Sequence, residues 1–243
     1  MMRRVGILGG MGPQATILIM QKVLAAVQAS DDADHIPLIV DQNPQVPSRI
    51  AHLLAGSGTD PGPDPGPILA DMARRLVAGG AQALAMPCNT AHHYSAAIRG
   101  AVTVPFLDMI ALSVSHARAL AGENGVVGIL ASPAVRKVGL FDAAFARLGL
   151  KGVYPQDEAA LLDAIRQIKA NAPLDSARAV LRAASADVRG QGADVQMIAC
   201  TEFSLIADAV APDVQAFDTL DLLVQAIKEF AVSHDAMQEQ VAV

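Results

Sequence analysis

The chain spells one pattern twice. The short run "VGIL" opens at Val5 and again at Val127, and behind each copy short β-branched runs alternate with longer helical ones. Such alternation is the mark of βα units, in which parallel strands are joined by helices that cover the sheet. In each copy an apolar run, "ALAMPC" or "QMIAC", ends in a cysteine, and these are the chain's two cysteines, Cys88 and Cys200. A further short run follows each, so that Asp108 of "VPFLD" trails Cys88 by 20 residues and Asp218 of "VQAFD" trails Cys200 by 18. All βα units look alike at this level. The matched cysteines are what turn the similarity into an internal duplication, and they predict an α/β fold of two halves facing each other across a pseudo-two-fold axis.

Read in order, "RVGILGG" is a strand running into a glycine turn, and the helix "PQATILIMQKVLAAVQAS" starts suitably with Pro13 in its first turn. "IPLIVDQ" is a strand, "PILADMARRLVAGG" an amphipathic helix ending at Gly79 and Gly80, "AQALAMP" a buried strand, Asn89 to Arg99 a helix and "VPFLD" a strand. In the second half "GVVGILAS", "GVYP", "DVQMIAC" and "VQAFD" are strands. The helices there are "AVRKVGLFDAAFARLG", two between Asp157 and Gly190, "TEFSLIADAV", and "TLDLLVQAIKEF". The stretch Gly56 to Pro67, rich in Pro and Gly, reads as a loop without regular structure, either a lid or a solvated connector. The boundary between halves falls between Ser113 and Gly125. A first domain of residues 1–115, completed by the last strand and helix (215–243), and a second of 116–214 follow from it.

Composition narrows the function. Hydrophobic residues make up 52% and charged residues 17%, the balance of a globular protein. With a net charge of −6 and no cluster of Lys and Arg, a nucleic-acid partner is not expected, and the absence of Trp and presence of two Tyr argue against base stacking. No apolar run reaches about 18 residues, so no membrane span is expected. The apolar run near the N-terminus is too short for a signal peptide, which makes the expected location cytoplasmic. There Cys88 and Cys200 are free thiols, and with no Cys/His ligand spacing nearby no metal is expected.

A residue at the carboxyl end of a parallel strand sits where open α/β sheets place their ligands. If a helix begins just beyond it, unpaired N–H groups and the helix dipole lower a thiol pKa from about 8.5 toward neutrality. Each half then supplies one tunable acid or base. Two sulfurs approaching a small molecule from opposite sides can remove a proton from one face and return one to the other, which is what inverting a stereocentre requires.

Four ordered motifs, "GILGGMGPQAT", "NPQVPSRIAHLL", "MPCNTAHHY" and "CTEFSLI", cover nearly the whole chain and resemble the cofactor-independent aspartate/glutamate racemase family, most closely its aspartate racemase branch. The resemblance implies two Rossmann-like domains with the site between them, a small amino-acid substrate, no pyridoxal phosphate or metal, and a homodimer. It implies that Cys88 and Cys200 are the catalytic thiols, and that Asn89, Thr90 and Thr201 hold the substrate's α-carboxylate and amine. Met11 and Gly12 would border the substrate, Arg49 would face a carboxylate, and Lys169 would lie near the side-chain carboxylate. Glu202 would orient the second thiol or the amine. Each has a plainer alternative: helix caps for the threonines, dipole compensation for Lys169 and Glu202, and a solvated surface for Arg49 and for His92 and His93. The chain departs from the family pattern at Ser48, Ser132, Val135, Phe141 and Ala199.

The leading expectation is therefore racemisation of aspartate, or of glutamate or a broader range of amino acids. Isomerisation or decarboxylation of a small diacid, for which one thiol can suffice, is the alternative within the same family. A thiol-redox small-molecule binding protein is the alternative from a different class.

Overall fold

A computed structural model describes residues 2–55 and 60–233. Two four-stranded parallel sheets form its frame. The first comprises β1 (Val5–Gly9), β2 (Leu38–Gln42), β3 (Ala83–Ala85) and β4 (Phe106–Leu107), in the order β2-β1-β3-β4. The second comprises β5 (Val126–Leu130), β6 (Lys151–Val153), β7 (Val195–Ile198) and β8 (Ala216–Asp218), in the order β6-β5-β7-β8. The two orders are the same, strand for strand, as a duplication requires.

The repeated glycine of "VGIL" shows why the motif recurs. A Cβ on Gly6 would lie 2.8 Å from the side chains of Ala81 and Leu84, and one on Gly128 would lie 2.7 Å from Val188. In both halves a helix packs directly on the central strand at that point: α3 (Pro65–Ala78) through Leu76, and α9 (Asp175–Gly190) through Val188. Only a residue without a side chain permits so close an approach.

Helices cover both faces of both sheets. On the first sheet α3 buries Leu69, Met72, Ala73 and Leu76 against one face, and α1 (Pro13–Ala25) buries Ile19 and Val23 against the other. On the second, α8 (Glu158–Lys169) and α9 lie on one face, while α6 (Pro133–Lys137) and α7 (Asp142–Arg147) lie on the other with Phe141 and Phe145. Two short helices complete the first half: α4 (Ser95–Ala101) packs on α3, and α2 (Arg49–Leu54) packs against α6 of the second half.

The last helix of each half crosses to the opposite sheet. After β4, α5 (Met109–Ala121) puts Val114 and Ala117 against Val127, Ile129 and Met197 of the second sheet. After β8, α10 (Thr219–Val232) puts Leu220, Leu223, Val224 and Ile227 against Val5, Ile7 and Ala85 of the first. Each is started by an aspartate: Asp108 accepts from the N–H groups of Ile110 and Ala111, and Asp218 from that of Leu220.

Several expectations need correction. The return to the first half is made by α10 alone, because β8 pairs with β7 in the second sheet. A boundary at 115/116 cuts through α5, a helix absent from the sequence reading. The single helix expected over "AVRKVGLFDAAFARLG" breaks at Gly139, whose φ of +59° belongs to a left-handed turn, so α6 and α7 are separate. The expected loop ends early: Asp64 caps Gly66 and Pro65 starts α3, the position where a missing N–H costs nothing. Residues 56–59 of that loop lie outside the described residues. Among the described residues no helix is long and apolar enough to cross a membrane.

Candidate active site at the facing ends of the two sheets

Cys88 lies three residues beyond the end of β3 and Cys200 two beyond the end of β7, both free and both buried. Neither opens an α-helix. Short 3-10 segments follow instead, Thr90–Tyr94 after Cys88 and Phe203–Ala209 after Cys200, the latter kinked at Ile206. The dipole available to the sulfurs is therefore smaller than a continuous helix would give.

The expected lowering of the thiol pKa values is overturned. Burial pushes the Cys88 thiol up, the positive charge of Arg49 partly opposes this, and Glu202 reinforces it. Burial likewise pushes the Cys200 thiol well up, and the charge and hydrogen bond of Glu202 push in the same direction. Lys169 and the backbone N–H groups of Ala91 and Glu202 work against these effects without reversing them. Both groups are thus thiols at neutral pH, since removing a sulfur from water penalises its anion. They are not alike: a cation dominates the charge around Cys88 and an anion that around Cys200.

Glu202 is the hub. Its Oε2 accepts from Cys200 Sγ at 3.2 Å, and its Oε1 faces Lys169 Nζ at 3.4 Å, an ion-pair distance without hydrogen-bond geometry. A Cβ on Gly12 would stand 3.5 Å from that same Oε1, so the Met11-Gly12 turn of the first half closes over a carboxylate of the second. Lys169 closes the last turn of α8, but its ammonium serves Glu202 rather than only the helix end.

Arg49 is buried, not a solvated surface residue. Ser48 caps α2 by accepting from Ala51 N–H and so places Arg49 first in the helix. One guanidinium nitrogen donates to the carbonyls of Val46 and Pro47 at 3.0 and 2.8 Å, and Nε has no partner. The backbone thereby fixes the fork while leaving donor capacity for an anion.

The threonines and Asn89 are not helix caps either. Thr90 and Ser132 share a hydroxyl hydrogen bond of 3.1 Å across the two halves. Asn89 makes no cap bond; its Nδ2 donates to Thr219 Oγ1 at 3.0 Å, and its Oδ1 is buried without a partner. Thr201, almost fully buried, follows Cys200 directly.

His92 is buried, whereas His93 is exposed. Met109 N–H donates to His92 Nε2 at 3.2 Å, so the ring proton is on Nδ1, which donates to the Cys88 carbonyl at 2.8 Å. Burial holds its pKa down. It is a neutral strut for the Cys88 turn. Among the described residues no group of three or more His, Cys, Asp or Glu side chains is placed to hold a metal ion.

The Asp/Glu/hydantoin racemase family model matches residues 8–227. The chain belongs to that family. A curated relative, the broad specificity amino-acid racemase RacX of Bacillus subtilis (strain 168), is 24% identical over 220 residues, covering 88% of this chain and 92% of the relative. The aspartate racemase of Picrophilus torridus has the same fold, with a TM-score of 0.78 at 24% identity over 94% of each chain. The glutamate racemase of Francisella tularensis in complex with D-glutamate matches at a TM-score of 0.65 and 16% identity, over 93% of this chain and 80% of that one.

Contacts join part of this set to the thiols: Glu202 meets Cys200 and Lys169, Gly12 lies against Glu202, and Met11 packs in one cluster with Cys88. Two departures from the family pattern fall elsewhere: Val135 and Phe141 are fully buried in the second sheet's core. Ser132, in the same segment, instead meets Thr90 of the other half. Sequence reasoning missed Thr219, whose only sequence signal is its place beside Asp218.

Proposed function

We propose that the protein is a cofactor-independent amino-acid racemase that uses Cys88 and Cys200 as its two acid/base groups, with aspartate the leading substrate. The observation that carries this reading is the pairing of two buried thiols at matching strand ends, both under the charge of the same Glu202 and Lys169. In one direction the Cys88 thiol first loses its proton to solvent, and the thiolate, favoured by the Arg49 cation, then removes the Cα proton. Cys200, held as S–H by Glu202, delivers a proton to the opposite face. In the other direction the roles exchange, with Glu202 positioned to take up the Cys200 proton.

The remaining polar groups have work that suits this step. The Cα proton is very weakly acidic, so positive charge and donors must be aimed at the carboxylate where charge develops. Arg49, with Nε free, and the hydroxyls of Thr90 and Thr201 supply them. Asn89 Oδ1 is the acceptor for the substrate ammonium. Two cations, Arg49 and Lys169, match the two carboxylates of an acidic amino acid, which favours aspartate or glutamate over neutral side chains.

Screening enantiopure amino acids in heavy water by chiral chromatography and mass spectrometry tests the reading. Inverted product carrying deuterium at Cα is expected. Turnover of a diacid, with none of any amino acid, would overturn it in favour of isomerase or decarboxylase chemistry. Ile17, Met20 and Leu24 lie exposed along one side of α1 (51, 42 and 57%), a stripe that supports a homodimer. Light scattering at a monomer mass would refute that part.

A further inference from the structure

The turn that carries Cys88 is held from both crossover helices. His92 ties it to the backbone of Met109 at the start of α5, and Asn89 ties it to Thr219 at the start of α10. The second tie continues: the Thr219 hydroxyl donates to the carbonyl of Ile198 at 3.0 Å, the last residue of β7 and two before Cys200. Three groups in a row, Asn89, Thr219 and Ile198, thus connect the two thiol-bearing strand ends. Thr219 is fully buried.

The direction of these bonds fixes the carboxamide. A hydroxyl has one proton. Thr219 gives its proton to Ile198, whose carbonyl can only accept, so toward Asn89 the hydroxyl is an acceptor and must face the NH2 group. Asn89 Oδ1 is left pointing elsewhere, buried and without a partner. A buried acceptor without a donor is destabilising unless a ligand supplies the donor.

We propose that Thr219 is a positioning residue for the reaction: by holding the Asn89 NH2 group it presents Asn89 Oδ1 to the substrate's α-ammonium and locks it in register with the β7 end. This rests on the racemase reading above. Thr219 touches no substrate itself. Without its hydroxyl the carboxamide is free to turn, and the ammonium loses an oriented acceptor while the carboxylate contacts stay.

The test uses Thr219→Val, Thr219→Ala and Thr219→Ser in the full chain. Racemisation kinetics are measured on the amino acid the wild type turns over fastest, with inhibition by the acid that lacks only its amine. Val and Ala are expected to lower kcat/KM by about tenfold, the size of one lost hydrogen bond to a charged group, chiefly through KM. Inhibition by the deaminated acid should stay within about twofold, and Ser should restore most of the loss. Equal weakening of amino acid and deaminated acid, or wild-type kinetics in both Val and Ala, would overturn the proposal. A failure of the wild type to racemise any amino acid would instead overturn the functional reading beneath it. Val and Ala differ in bulk, so a fold defect in one is recognised by thermal unfolding and the other carries the test.

Discussion

Replacing Asp218 with Asn should make the protein's stability less dependent on pH, by an amount the structure sets. Asp218 Oδ1 accepts from Leu220 N–H at 2.8 Å and from the Ser204 hydroxyl at 2.9 Å, while Oδ2 is buried without a partner. Burial is the main cause that raises its pKa from 3.8 to about 6, with Asp221 adding to the rise and Lys22 opposing it. A group whose folded pKa is raised binds more protons when folded, so its favourable contribution is complete below pH 3.8 and is lost as pH rises through about 6. The two-unit rise corresponds to about 3 kcal/mol above pH 7, of which roughly half is already lost at pH 5. Asn is as good a helix cap as Asp and its oxygen can accept both existing bonds. Whatever its constant effect, the stability of Asp218→Asn relative to wild type should therefore improve by about 1 kcal/mol between pH 5 and pH 8. Urea unfolding of both proteins at the two pH values measures this, since all other titrating groups cancel in the comparison. An identical difference at pH 5 and pH 8 would refute the buried, ionising carboxylate.

Glu202→Gln removes the charge that raises both thiols, so the pH profile of iodoacetamide labelling should move to lower pH, more for Cys200 than for Cys88; an unmoved profile would show that Glu202 is not their electrostatic partner. Phe141→Ala opens the second sheet's core, where the ring is fully buried against Phe145, and should cost about 3–5 kcal/mol in denaturant unfolding without a change in substrate KM. Gly10→Ala should destabilise by at least about 2 kcal/mol, because φ is +88° and a Cβ would stand 2.4 Å from the Asn43 backbone; a stable variant would mean this turn is placed differently.

What the sequence makes legible is what local pattern encodes. The repeated "VGIL", the cysteines at strand ends and the paired aspartates lead to two matching sheets because each reflects a strand or a cap formed by neighbours in the chain. The crossover of α5 is not visible in the same way. Ser113 reads as polar, yet it packs as core because its hydroxyl donates to the Met109 carbonyl one turn back, at 2.6 Å. Without it the buried stripe Met109, Val114, Ala117 looks too sparse for a helix on an apolar sheet. The split of α6 from α7 depends on one glycine, tolerated inside many helices, taking a left-handed conformation here. The electrostatics of the thiols lie furthest from the sequence. Residue spacing gives the strand end but neither the burial nor the 3.2 Å contact between Cys200 and Glu202, and those two decide the sign of the shift. Asn89 and Thr219, 130 residues apart, meet only because α10 returns to the first sheet.

The two-thiol mechanism is tested most directly by Cys88→Ala and Cys200→Ala, each assayed in heavy water with both enantiomers of the preferred amino acid. Each variant should lose racemisation by at least about a hundredfold, the usual contribution of a positioned acid or base. The remaining thiol should still exchange the Cα proton of one enantiomer for deuterium without inversion, and the favoured enantiomer should differ between the two variants. Racemisation at near wild-type rate by either variant would contradict the account.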